Sequence, residues 1–152
     1  MTSGNEIALL RTIATNKARL DALRPLKREA LVGLRKHFDV ELTYTSNAIE
    51  GNTLSLRETA EVIEHGLTIG GKPLRDHLEA QDHYDAIGWV RSIADGSECV
   101  SEGLICELHR RIVLRSNPDI AGVYSRHPRR IAGSAAVFPA ASKIPDMMAE
   151  LG

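Results

Sequence analysis

The chain has 152 residues, 43% hydrophobic and 26% charged, the proportions of one soluble globular domain long enough to bury a core without staples. Aromatic residues are only 4%, so the core falls to Leu, Ile, Val and Ala. A net charge of −1 gives no electrostatic footprint for nucleic acid or for an anionic membrane surface.

The N-terminus, Met-Thr-Ser-Gly-Asn-Glu, lacks the basic flank and apolar run of a signal peptide. Residues 1–24 form a first predicted helix, with Ile7, Leu10, Ile13, Leu20 and Leu23 at helical spacing before Pro25 ends or kinks it. A second helix within 25–51 carries Leu31, Leu34, Phe38, Leu42, Thr45 and Ile49 along one stripe, with Lys27, Arg28, Arg35, Lys36 and Glu41 on the reverse face. Gly51 is its left-handed stop. Ser55 and Glu58 are spaced as a capping box for a third helix, closed by Gly66 and Leu67. Gly70-Gly71 makes a turn, and Pro73 opens a fourth helix reaching about Ala94, with Leu78, Ile87, Val90 and Ile93 as its expected buried side. Asp95-Gly96-Ser97 breaks it. Ser101 caps a fifth helix with Leu104, Leu108 and Ile112 inward, stopped at Asn117-Pro118.

Beyond Pro118 the pattern changes, because Gly122, Pro128, Gly133, Pro139 and Pro145 interrupt the chain. The short runs 130–132 and 135–138, joined by Gly133-Ser134, read as a β-hairpin over about 129–139. A final helix is expected over 142–151, with Met147, Met148 and Leu151 as its apolar side. Two turns are too few to stabilise such a helix alone, so the terminus reads as a cut. No apolar run approaches the ~18 residues that span a bilayer. Cys99 and Cys106 make no disulfide framework and fit a reducing cytoplasm.

Three places carry residue types capable of chemistry. Asp76, Glu79 and His83 share one face of the fourth helix and could ligate a metal, or form a solvated acidic face with local ion pairs. Cys106 and His109, three apart, could pair a nucleophile with a base, although Cys106 beside a Leu/Ile stripe also reads as a small buried hydrophobe. The basic cluster Arg126, His127, Arg129 and Arg130 reads as a solvated loop. No G-x-S-x-G elbow, phosphate-cradling glycine loop or Cys/His zinc spacing is present.

The segment Thr45-Ser46-Asn47-Ala48-Ile49-Glu50-Gly51-Asn52-Thr53 closely resembles the inhibitory motif of Fic proteins, [S/T]-x-x-x-E-[G/N], here Ser46, Glu50 and Gly51. The order continues through Gly66-Leu67, Gly71-Lys72-Pro73-Leu74-Arg75-Asp76-His77-Leu78-Glu79-Ala80, Leu108-His109, Ala121-Gly122 and Gly133-Ser134. The resemblance covers roughly residue 25 to the end. It implies a mainly α, Fic-like helical domain with a β-hairpin flap near its C-terminus. Residues 25–152 are then the N-terminal part of that domain, preceded by the helix of 1–24. The family's active-site pattern, H-x-F-x-[D/E]-G-N-G-R-x-x-R, occurs nowhere in the chain, so no catalytic residue and no metal ligand is assigned.

Fic proteins transfer AMP from ATP, with a divalent metal such as Mg on the phosphates, to hydroxyls of target proteins. The resemblance implies that Glu50 pairs with the last arginine of the active-site pattern and blocks the γ-phosphate, while Ser46 anchors the helix by a hydrogen bond. Arg130, Ile131, Ala132, Gly133 and Ser134 would lie over the nucleotide, and the hairpin edge would take the target protein by strand addition. Three readings stay open: an inactive part of a Fic protein, a split half completed by another chain, and a non-enzymatic helical binding module; for partners, a homodimer and a missing C-terminal half both stay open.

Overall fold

A computed structural model describes residues 4–94, 96 and 99–150. It contains six α-helices among the described residues: α1 Gly4–Ala22, α2 Arg28–Ile49, α3 Leu56–His65, α4 Leu74–Ala94, α5 Glu102–Val113 and α6 Ile144–Ala149. The expected mainly helical class is correct, and short 3-10 turns sit at Pro118–Ile120 and Ala141–Lys143. The expectations placed on Asp95, Ser97 and Leu151 fall outside the described residues.

The chain divides into two units, Met1–His37 and Phe38–Gly152. In the first, α1 ends as the amides of Leu23 and Arg24 donate to the carbonyls of Leu20 and Asp21, ahead of a cis Arg24–Pro25 peptide. No residue of α1 is buried. The apolar positions of its sequence pattern, Ile7, Leu10, Ile13 and Leu20, are all exposed.

The second unit is organised around α4. Its apolar cluster joins Leu54, Val62 of α3 and Ala80 of α4, with Ile69 packed against them. Burying a Val or Leu side chain is worth about 1.5–3 kcal/mol, and so few such residues leave much for polar contacts to do. α3 follows its sequence signals at both ends. Ser55 N donates to Glu58 Oε2 at 2.7 Å and Glu58 N to Ser55 Oγ at 3.3 Å, completing the capping box. Gly66 closes the helix in the left-handed conformation, φ 64°. The bond from the Ser55 amide, then the Lys72 ammonium 3.5 Å away, hold the Glu58 carboxyl below its usual range.

The buried face of α4 corrects the sequence expectation. Leu78, Ile87 and Ile93 are half-buried and Val90 is exposed, while the buried positions are Asp76, His77, Ala80, Asp82 and Ala86. Each polar one is satisfied. His77 Nε2 accepts from Ile69 N at 2.8 Å and Nδ1 donates to the Pro73 carbonyl at 2.8 Å, which fixes a neutral tautomer and ties the Gly70-Gly71 turn to the helix. Asp82 accepts from the amides of Arg115 and Ser116 at 2.8 and 3.0 Å and from Arg115 Nη1 at 3.0 Å, clasping the chain that leaves α5. Arg111 of α5 stacks 4.7 Å from the centre of the Trp89 ring of α4. The stripe on α2 is likewise open: Leu42 and Ile49 are exposed, and the buried residues are Asp39, Val40 and Thr43.

The β-hairpin over 129–139 is not present: no strand occurs among the described residues. The turn at its tip does form, with Ser134 N donating to the Ile131 carbonyl at 3.2 Å and Gly133 at φ 74°. The flanking segments do not pair. Ile131, Val137 and Phe138 are exposed, so Arg130, Ile131, Ala132, Gly133 and Ser134 form an open turn rather than a two-stranded flap. A lone hairpin with no face against a core is marginal in water, and these short runs include Ala132, Ala135 and Ala136, poor strand formers. The expected helix over 142–151 is shorter, Ile144–Ala149 after the Ala141–Lys143 turn.

Candidate functional site at the end of the second helix

The last turn of α2 carries Ser46, Glu50 and Gly51. Asn52 N donates to the Asn47 carbonyl at 3.0 Å and Gly51 N to the Ala48 carbonyl at 3.1 Å, the paired bonds of a Schellman stop. Gly51 is at φ 91°, which makes Glu50 the capping residue itself. Its carboxylate is exposed, with no hydrogen bond or ion pair among the described residues. It also faces the negative end of the helix macrodipole, a placement that costs about 0.3–1 kcal/mol. Local stability therefore does not account for a glutamate there. Ser46, one turn earlier on the same face, is half-buried, and no side-chain hydrogen bond involves its hydroxyl among the described residues.

What fixes this helix end is the loop just after it. Asn52 Nδ2 donates to the Asp76 carbonyl and to Glu79 Oε2, both at 3.0 Å, while its Oδ1 accepts from Leu54 N at 3.1 Å. Thr53 donates to Asp76 Oδ2 through its amide at 2.8 Å and its hydroxyl at 2.6 Å. Lys72 Nζ donates to the Thr53 carbonyl. Further along α4, His83 Nδ1 lies 3.2 Å from Thr43 Oγ1 and Arg91 pairs with Asp39. The C-terminal half of α2 is thus tied to α4 at three levels, which fixes the backbone that carries Glu50.

These anchors also decide what Asp76, Glu79 and His83 do. Asp76 takes Thr53, Glu79 takes Asn52 and Arg75 Nε (2.7 Å), and His83 faces Thr43. Among the described residues no group of three or more His, Cys, Asp or Glu could hold a metal ion. Asp76 is buried, so the solvated acidic face is not its setting either. Burial lowers the pKa of His83 below its ordinary 6.5. Sequence reasoning missed Asn52, Thr53 and Asp82 as anchors. The available signal was an Asn-Thr pair directly after a helix-stop glycine, opposite a helix rich in carboxylates.

Cys106 and His109 do not form a nucleophile–base pair. His109 Nδ1 accepts the Gly122 amide at 3.2 Å, which occupies the ring in holding the loop after α5. Gly122, at φ 74°, is crowded: a Cβ there would meet Arg110 Cβ at 3.0 Å and the Cys106 carbonyl oxygen at 3.1 Å. No hydrogen bond or ion pair among the described residues links Glu50 to Arg130, Ile131, Ala132, Gly133 or Ser134. No described helix is long and apolar enough to cross a membrane.

No family model matches the chain. It is 34% identical over 101 residues to the protein adenylyltransferase Fic of Nematostella vectensis, an alignment covering 66% of this chain and 22% of that protein. Its fold is similar to that of a Fic domain containing signaling protein from Bacteroides thetaiotaomicron, with TM-score 0.79 and 27% identity over 91% of this chain and 53% of the other. It is also similar to Fic-1 (aa134–508) from C. elegans, with TM-score 0.69 and 25% identity over 97% of this chain and 45% of the other. The chain spans about a fifth of the length of the curated relative and about half of each solved chain. In sequence and in fold alike, the chain belongs to the Fic family and covers part of the Fic domain.

Proposed function

We propose that this chain is the regulatory portion of a protein adenylyltransferase, in which Glu50 competes with the γ-phosphate of ATP for one arginine. The observation that carries the reading is the Glu50 carboxylate, exposed and unpaired among the described residues at a clamped helix end. A guanidinium clasps a carboxylate or a phosphate in the same bidentate geometry, so the two exclude each other. The arginine belongs to the active-site pattern that the chain's sequence lacks. ATP and Mg would be held by that same pattern; when bound, they supply the AMP group and the charge neutralisation for its transfer. The described residues offer no metal cluster of their own, and no step is assigned to them beyond holding Glu50. Ser46, on the same face one turn earlier, would steady the helix. The target protein would be met at the exposed 129–139 segment, where Ile131, Val137 and Phe138 are open.

The test places Glu50→Gly and Glu50→Gln in a protein that joins this chain to the active-site pattern and follows AMP transfer from labelled ATP. Both variants are expected to raise the rate by at least about tenfold, the equivalent of 1.4 kcal/mol at the barrier. Ser46→Ala should raise it less. The isolated chain should transfer no AMP. An unchanged rate in both Glu50 variants refutes the competition.

A further inference from the structure

The net charge of −1 averages over an uneven chain. Residues 1–37, the first unit, hold eight Lys and Arg against three Asp and Glu, whereas residues 38–152 hold eleven against seventeen. The first unit is thus at +5 and the second at −6, so the electrostatic footprint that the whole-chain charge excludes exists locally. Asp21 pairs with Lys17 at 2.5 Å and lies 3.9 Å from Arg24. Arg11, Arg19, Lys27, Arg28 and Arg35 make no ion pair among the described residues, and all five are exposed.

The same unit leaves its aliphatic side chains in water. Leu9, Leu10 and Val32 are each 61% exposed and Leu23 is 65% exposed. Leu9, Ile13, Leu20 and Leu23 share one stripe of α1, bordered by Lys17 and Arg24. Leu31 and Leu34 share a face of α2, bordered by Arg28 and Arg35. A single exposed leucine is ordinary, but a run of them interleaved with unpaired cations marks an interaction face. Long cationic side chains lay their stems along apolar surface and keep their charge in water, the arrangement of a helix lying in a lipid–water boundary. Residues 1–37 contain no Phe, Tyr or Trp, so nucleic-acid bases would find no ring to stack on. A phosphate backbone, for its part, has no use for exposed leucines. Charge and apolar surface together therefore favour lipid.

We propose that residues 4–37 dock on an anionic lipid surface, with Lys27, Arg28 and Arg35 at the headgroups and Leu9 and Leu23 in the acyl boundary. The assignment stands apart from the reading of Glu50, which lies in the second unit.

The chain itself is sedimented with vesicles of phosphatidylcholine alone and of phosphatidylcholine with phosphatidylserine. It should bind the mixed vesicles at least about tenfold more tightly, and added salt should weaken that binding by screening the surface charge. Lys27→Gln, Arg28→Gln and Arg35→Gln together should weaken it about a hundredfold, at about fivefold for each cation. Leu9→Gln with Leu23→Gln should weaken it by about tenfold or more, since two leucines lose their place in the acyl boundary. All five side chains are exposed, so folding should survive, and circular dichroism checks it. Arg57→Gln, an exposed arginine on α3, should leave binding unchanged. No binding to the mixed vesicles overturns the proposal, as does binding weakened equally in Arg57→Gln. Binding that the leucine pair leaves intact, or double-stranded DNA bound more tightly than the vesicles, overturns it in favour of a polyanion read by charge alone. Self-association without lipid that the same variants abolish also overturns it, because the face would then belong to a second copy.

Discussion

The carboxylate of Glu50 stands where the unpaired carbonyls at the end of α2 already concentrate negative charge. Replacing it with glutamine is expected to stabilise the isolated chain by about 0.3–1 kcal/mol, read as a rise in the thermal midpoint that shrinks with added salt. A fall would mean that Glu50 has a stabilising partner. The same substitution that is expected to release activity in the joined protein should thus strengthen the fold. Gly51 gives the complementary test. It sits at φ 91° with nothing within 4 Å of the place a Cβ would take, so Gly51→Ala should cost only the left-handed strain, about 1–2 kcal/mol. The helix stop at Gly51 and the shared face of Ser46 and Glu50 were legible, because a helix stop and an i,i+4 spacing are local. The anchors were not, because Asn52 and Thr53 meet Asp76 and Glu79 across more than twenty residues of sequence.

At the scale of elements, the helix ends were readable wherever a cap is built from neighbouring residues, as at Ser55–Glu58 and Gly66. The buried face of α4 was not, since polarity conceals burial: Asp76, His77 and Asp82 point inward while Val90 is exposed. The hairpin failed for a related reason, because its turn at Ile131–Ser134 is local while the core face that would hold its strands together is not. His83 makes the α2–α4 contact sensitive to pH. Its folded pKa lies below 6.5 because burial disfavours the charged ring, so the unfolded chain binds its proton first as the pH drops. Stability from this group is complete above about pH 6.5 and is lost as the pH falls through the folded value. His83→Gln should flatten that part of a stability–pH curve. It should leave the loss between 4.5 and about 2, where Glu107, bonded to Arg110 and then facing Arg111, becomes protonated. In the loop after α5, Gly122 and Gly133 share φ 74°, but only Gly122 is crowded. Gly122→Ala should therefore destabilise more than Gly133→Ala, by about 1–3 kcal/mol of overpacking, in parallel urea titrations.

For the molecule as a whole, stability rests on few apolar contacts and several enclosed polar ones. Leu54, Val62 and Ala80 make the one apolar cluster of buried residues among those described, whereas Asp82, fully buried, gathers two amides and a guanidinium. Arg115 is shared between Asp82 at 3.0 Å and Asp85 at 2.8 Å. Distance alone would rank the two pairs equal, but their settings differ. The Asp85 side chain is 57% exposed and that of Asp82 is 0% exposed. Water already solvates Asp85, so Asp85→Ala should cost no more than about 1 kcal/mol. Arg115 keeps Asp85 when Asp82 is removed, but the amides of Arg115 and Ser116 lose their acceptor, which should cost about 1–3 kcal/mol for each amide left unsatisfied. Against a total of about 5–15 kcal/mol for a domain, that loss is a large fraction of what holds the chain folded. Urea unfolding of the two variants should therefore show a small midpoint shift for Asp85→Ala and a large one for Asp82→Ala. The slope should stay constant if both variants unfold from the same native state. Equal shifts would place the strength of this clasp in the ion pair itself, and not in the two amides that Asp82 alone receives.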